Sequence, residues 1–330
     1  MHDRRKSTEE ARTVRDDVIE VSNGLPLDVP VLDVAISPTF DHDHGCYAAS
    51  LAGLYRSADG GISWTAVVLN VGKAAAFAVA LSPAYTIDQQ LFAGLAGGIL
   101  RSCDAGSSWA VSLLPTPPPT VSALAVSPNF SKDGIVFAGT AGDGVFRSAD
   151  RGASWGSWNF GLLDYNVLTM AVSPNYAQDE TLFVGTGSGL FRSKNGGRAW
   201  REIDLPIANT SILALAISPA FAHDGLIYAG AEEGGLFISR DAGISWAQSS
   251  VQESDESINV IVLAPSFSSD GCMLMATNTR VRCSTDRGQS WRDWTGVANV
   301  IGLSIPPGWR VGDSVLAALS EGGVRWLPPT

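Results

Sequence analysis

The chain has 330 residues, 45% of them hydrophobic and 17% charged, enough apolar material for a large core and too little charge for a disordered chain. Its 22 basic and 33 acidic side chains give a formal net charge of -11, which disfavours nucleic acid and anionic membrane as partners. No run approaches the roughly eighteen apolar residues of a membrane-spanning helix, and 35 glycines and 17 prolines argue against long helices of any kind.

In chain order, residues 1–17 come first; they are polar and charged and are expected to form a flexible arm or a short helix. They lack the apolar stretch of a secretory signal. Four scattered cysteines, Cys46, Cys103, Cys272 and Cys283, read as reduced thiols, so a cytoplasmic location is expected. Cys272 and Cys283 would flank one hairpin, as buried thiols or, if the register aligned them, as a disulfide.

From residue 18 onward a beat sets in. Six tryptophans, Trp64, Trp109, Trp155, Trp200, Trp246 and Trp291, are spaced by 45, 46, 45, 46 and 45 residues. Pro38, Pro83, Pro128, Pro174, Pro219 and Pro265 keep the same interval, with Pro306 and Pro307 slightly early in a seventh unit. A fixed period of this size marks a repeat architecture. In one unit, Val121 to Val126 is a short buried strand and Ser127 to Gly134 a loop. Ile135 to Gly139 and Val145 to Ser148 are two further strands about a glycine-rich turn, and Trp155 opens a fourth.

Four short strands per repeat make a β-propeller blade. The fold is expected to be all-β, a single seven-bladed propeller with blades near 31–68, 76–112, 121–159, 167–204, 212–249, 258–295 and 300–326. The last unit has three strands and then ends. Residues 18–21 precede Asn23-Gly24-Leu25, which matches Phe160-Gly161-Leu162 after the third unit, so 18–21 are expected to complete the seventh blade and close the ring.

The turn before each tryptophan carries a motif, Ser57-x-Asp59-x-Gly61-x-Ser63-Trp64, with copies from Ser102, Ser148, Ser193, Ser239 and Ser284. Its acidic position is Asp59, Asp104, Asp150, Asn195, Asp241 and Asp286. The carboxylate is suited to accept N–H groups in its own turn, the glycine to supply an unusual backbone conformation, and the indole to bury a large ring between sheets. A structural role is therefore expected for all six. Arg56, Arg101, Arg147, Arg192 and Arg282 recur before the serine. Repeated ion pairs with Asp43, Asp88, Asp133, Asp179, Asp224 and Asp270 are their expected role.

The motif resembles the Asp-box, or BNR repeat, of sialidase-like propellers, and the resemblance covers six of the seven units. It extends to photosystem II assembly factors, although the export signal and clustered arginines of those proteins are not evident here. The sialidase resemblance implies three arginines around a carboxylate, a tyrosine nucleophile paired with a glutamate, and an acid aspartate. These are not found: Tyr47, Tyr55, Tyr85, Tyr176 and Tyr228 sit at repeated positions and only Tyr165 stands outside them, while Arg280 and Arg310 make no triad. The innermost strands are expected to present Ala35, Ala80, Ala125, Ala171, Ala216, Val262 and Ser304 inward. No catalytic residue is assigned.

Function is sought where the repeat is broken. Asp164 and Tyr165 form an aromatic, polar edge. Glu232 and Glu233 are expected to neighbour Glu253, Asp255 and Glu256, an acidic group suited to a basic partner or a cation. Pro115 to Pro119 is a stiff spacer. Asp41-His42-Asp43-His44, with His223-Asp224, is the most metal-like grouping, but its ligands lie on loops four blades apart, and no metal site or cofactor is expected. The reading is a non-catalytic platform, a monomer, binding a protein, peptide or glycan through its loop face. The alternative is a glycoside hydrolase using carboxylates there, which two carboxylates about 5–10 Å apart in a deep polar cavity would favour.

Overall fold

The computed structural model describes residues 19–20, 22–68, 74–115, 117–249 and 256–328. Seven four-stranded antiparallel sheets form the blades of one propeller. The innermost strands are Val31–Ile36, Ala76–Leu81, Val121–Val126, Val167–Val172, Ile212–Ile217, Ile258–Leu263 and Val300–Ser304. In six blades the other three strands follow in sequence. In the seventh, Ile19–Glu20 pairs with Val324–Leu327 as the outermost strand.

Side-chain chemistry repeats where this closure is made. Ser22 Oγ accepts from the Val324 amide at 3.0 Å, as Asn159 Oδ1 accepts from Val145 at 2.7 Å. The Trp64 amide then donates to Asn23 O and the Trp200 amide to Phe160 O. Gly24 and Gly161 follow at φ +91° and +81°, and a Cβ on either would overlap the carbonyl oxygen of the adjacent tryptophan. Residues 22–25 thus do for blades 7 and 1 what 159–162 do for blades 3 and 4.

The segment after each of the first six innermost strands, expected as a loop, contains one helical turn: Phe40–Asp43, Tyr85–Asp88, Phe130–Asp133, Tyr176–Asp179, Phe221–Asp224 and Phe267–Asp270. The aspartate closes it. Asp133 accepts from Ser127 Oγ at 2.6 Å and from the Ile135 amide at 2.9 Å, and the same serine latch joins Ser37, Ser82, Ser173 and Ser218 to Asp43, Asp88, Asp179 and Asp224. The sixth copy has Ala264 and keeps only the amide bond, from Cys272 to Asp270. The first aromatic of the turn docks on the preceding blade. Phe130 meets Phe92, Tyr176 meets Phe137 and Phe267 meets Tyr228 edge to face at 5.8–6.0 Å, while Tyr85 and Tyr47 share a hydroxyl contact at 3.0 Å. Such pairs add about 0.5–1.5 kcal/mol each beyond burial, so this segment ties blade to blade.

The arginine–aspartate ion pairs expected from the repeat are not among the described salt bridges, because the aspartates are spent on the latch. Arg282 pairs with Asp293 instead, Arg192 donates to Ala242 O at 3.0 Å, and Arg147 lies over the Trp158 ring. The tryptophans also divide: Trp64 and Trp200 are buried, whereas Trp109, Trp155, Trp246 and Trp291 are only partly so. Cys272 and Cys283 are buried free thiols in the core between blades 6 and 7.

Candidate binding face

Chain direction sorts the connections onto two ends. Helical turns and serine–aspartate–tryptophan turns share one end; the blade linkers and second-to-third-strand hairpins share the other. On the first end, Ser57 Oγ accepts from the Gly61 amide at 2.8 Å and donates to Asp59 at 2.7 Å, and Asp59 accepts from the Ser63 amide at 2.9 Å. Gly61 needs its φ of +86° for this, and the glycines of the other copies adopt the same region. Asp104, Asp150, Asp241 and Asp286 accept from the equivalent serine amide, and Asn195 from Ala199. The Ser63, Ser154 and Ser245 hydroxyls, foremost among these donors, hold Asp59, Asp150 and Asp241 down to about 2. These carboxylates are consumed by their own turns.

On the linker end, an axial cavity of about 220 Å³ is lined by all seven innermost strands. Its lining comes two residues earlier than the Ala35 series expected from sequence: Asp33, Ala78, Ala123, Thr169, Ala214, Val260 and Gly302. Each innermost strand carries a register irregularity immediately before this position, and because residues two apart share a strand face, the observed lining differs from the expected one in depth along the strand, not in face. Asp33 is the single carboxylate in the lining. Burial pushes its carboxyl up to about 7, against the opposing pull of the Val79 amide, which donates to it at 2.9 Å across the blade boundary, and of the Val34 amide. Sequence reasoning missed Asp33, although aligning the repeats sets one acid against Ala, Ala, Thr, Ala, Val and Gly.

The blade 3–4 linker holds Asp164 and Tyr165 in a fixed frame. Asn159 Nδ2 donates to Asp143 O at 2.9 Å, and Leu162 is buried at 4% exposure. Tyr165 O accepts from both the Gly142 and Gly144 amides at 3.0 Å. Burial opposes ionisation of Asp164, but the Asn166 amide at 2.9 Å and Ser188 Oγ at 2.8 Å outweigh it and hold the carboxyl below its usual range. From this frame Phe160, Leu163 and Tyr165 project with 80%, 76% and 45% of their surface exposed. A loop's composition does not say which of its apolar residues are exposed, so Phe160 and Leu163 are found only in the structure.

Of the expected acidic group, Glu232, Glu233 and Glu256 are among the described residues. Asp255 and Glu253 lie outside the described residues. Burial works against ionisation of Glu256, yet the Thr279 hydroxyl at 2.7 Å and Arg280 at 3.0 Å outweigh it, and Arg280 continues to Asp293. Glu256 therefore secures the blade 6 hairpin. Glu232 and Glu233 remain exposed, their backbones tied to Ser211 and Thr210. His42 and His44 are exposed, and Asp43 is engaged in the Ser37 latch. Among the described residues no cluster of three or more metal-binding side chains forms.

No family model matches this chain, and no curated protein matches it. Among solved structures it is similar to the extracellular domain of a hybrid two component system from B. thetaiotaomicron, with TM-score 0.70 and 15% identity, covering 94% of this chain and 39% of that one. It is similar to a GH74 xyloglucanase from Xanthomonas campestris, with TM-score 0.70 and 18% identity, covering 93% of this chain and 53% of the enzyme. It is also similar to YCF48 bound to a D1 peptide, with TM-score 0.68 and 16% identity, covering 95% and 96% of the two chains. The chain thus spans about two fifths of the first of these and nearly the whole of YCF48. The class is a seven-bladed β-propeller, and at these identities the likeness establishes the fold. Both hydrolases and a peptide-binding protein share it.

Proposed function

We propose that this propeller is a non-catalytic binding module that takes a protein or peptide segment on its linker face, with the blade 3–4 linker as the contact. One observation carries the reading: Phe160, Leu163 and Tyr165 are exposed on a segment whose backbone and anchors are hydrogen-bonded and buried on both sides. Large apolar side chains held rigidly in water are what a pre-organised contact surface offers, since little ordering entropy remains to oppose binding. The YCF48 neighbour, matched over nearly its whole length, is bound to a peptide, which is in keeping.

The glycoside hydrolase reading has less support. Its general acid and its partner need two available carboxylates flanking a substrate. Asp164 and Glu256 are held ionised by their own loops, and Asp33 stands alone in a cavity smaller than ordinary ligand pockets of about 300 Å³ or more.

A peptide display library selected on the wild-type chain, then measured on a Phe160→Ser, Leu163→Ser, Tyr165→Ser variant of unchanged circular dichroism, tests the proposal. Binding should fall at least about tenfold, the loss of one good anchor. Equal binding to both proteins would reject the linker as the contact. Turnover of a glycoside that Glu233→Gln abolishes would establish the hydrolase instead.

A further inference from the structure

The outer ends of neighbouring blades are separated by a groove, and one copy of it is filled from within. Between blades 3 and 4 the Trp158 indole lies 4.4 Å from the Arg147 guanidinium carbon and 5.6 Å from that of Arg198, measured to the ring centroid. The ring also rests against Gly197 of the blade 4 turn. Between blades 1 and 2 the arginine is retained as Arg56, but Val67 stands at the Trp158 position and Ser107 at the Arg198 position. Among the described residues those two truncations leave a groove of about 820 Å³, lined by Arg56, Asp59, Val67, Val68, Ser107 and Trp109 among others.

Arg56 shares one feature with Arg147. The Nε atoms of both are buried and without a hydrogen-bond partner among the described residues. For Arg147 the guanidinium face is covered by a ring, the interaction open to a cation whose N–H groups are not all paired. Three further grooves are dealt with differently, and between blades 2 and 3, where Ser112 and Ala153 stand at the Trp158 and Arg198 positions, Arg101 Nε donates to Cys103 Sγ at 3.4 Å. Arg192 is tied to the Ala242 carbonyl, Trp294 is buried against Trp309 at 5.7 Å between blades 6 and 7, and the blade 5–6 groove has Ile238 in the arginine position.

We propose that the blade 1–2 groove is a binding site for the indole side chain of a partner polypeptide, stacked on the Arg56 guanidinium in the place that Trp158 takes two blades further on. Charge complementarity, a cation presenting its face to a π system, selects this occupant, together with the shape left when a tryptophan and an arginine become valine and serine. Partly buried Trp109 and Val68, which is 89% exposed, supply apolar walls. The site is separate from the linker contact and stands or falls independently of it.

The test is a titration of the full-length ¹⁵N-labelled chain with N-acetyltryptophanamide, following the arginine Nε–H and indole N–H resonances. Saturable ring-current shifts at Arg56 and Trp109 are expected. Arg56→Ala should weaken binding about tenfold. Trp158→Ala should open the blade 3–4 groove and bring Arg147 into the same response. A response at Arg147 in that variant with none at Arg56, or binding unaffected by Arg56→Ala, would overturn the proposal. Because the wild-type titration reads Arg56 directly, misfolding of a variant does not remove the test.

Discussion

Replacing Asp33 by asparagine isolates the one acid in the axis. In the folded chain its carboxyl is pushed up to about 7 from an ordinary 3.8, by burial first, with the Val79 and Val34 amides pulling the other way. The difference corresponds to about 4 kcal/mol favouring the neutral form in the fold, an upper figure if water enters the cavity. The sign follows from proton counting. Between pH 4 and 7 the folded state holds a proton that the unfolded state has released, so this group's contribution is complete below pH 4 and is lost as the pH rises to about 7. Asparagine keeps an oxygen for the Val79 amide and carries no charge. Asp33→Asn should therefore leave urea stability near pH 4 almost unchanged and raise it at pH 8, by about 1–3 kcal/mol after allowing for solvent in the cavity. Urea denaturation of both proteins at pH 4.5, 6 and 8 measures the difference, and carbon NMR of the Asp33 carboxyl reads the titration directly. A difference that does not grow with pH, or a carboxyl titrating near 4, would refute the argument from burial.

Other expectations follow from the same contacts. Asp150→Ala removes the acceptor of the Ser154 amide and two serine hydroxyls, and should cost about 1–2 kcal/mol, as the loss of a helix cap does, in urea denaturation at pH 7. Because Asp59, Asp150 and Asp241 titrate at about 2 when folded, their contribution is present above pH 4 and is lost as the pH falls to about 2, a separate limb from that of Asp33. Gly24→Ala should destabilise by at least about 1 kcal/mol, through positive φ and the clash with the Trp64 carbonyl. Faster amide exchange in Val324–Leu327 would show the ring loosening at that seam. Ser127→Ala leaves Asp133 with only its amide donor and should cost about 0.5–1.5 kcal/mol, a loss absent at Ala264, where the hydroxyl is already missing.

Repetition is what made so much of this protein legible in one dimension. A 45-residue beat of tryptophans and prolines specifies blade number, strand count and ring closure, because each blade must bury its faces against the next and seven copies of one solution are read as easily as one. The turn aspartates were legible for the same reason: they act within five residues of themselves. The arginine–aspartate pairing was misread because both residues recur in phase, and phase does not measure distance; a serine six residues upstream reached the aspartate first. Single residues that break the pattern were harder. Asp33 was visible as an acid, but which of two positions on the same strand face lines the axial cavity depends on how the seven innermost strands converge. The exposure of Phe160 and Leu163, the capture of Glu256 by Arg280, and the groove that Trp158 fills and Val67 leaves open arise between blades. They are products of how neighbouring units approach one another, which no spacing along the chain encodes, and the tertiary structure alone decided them.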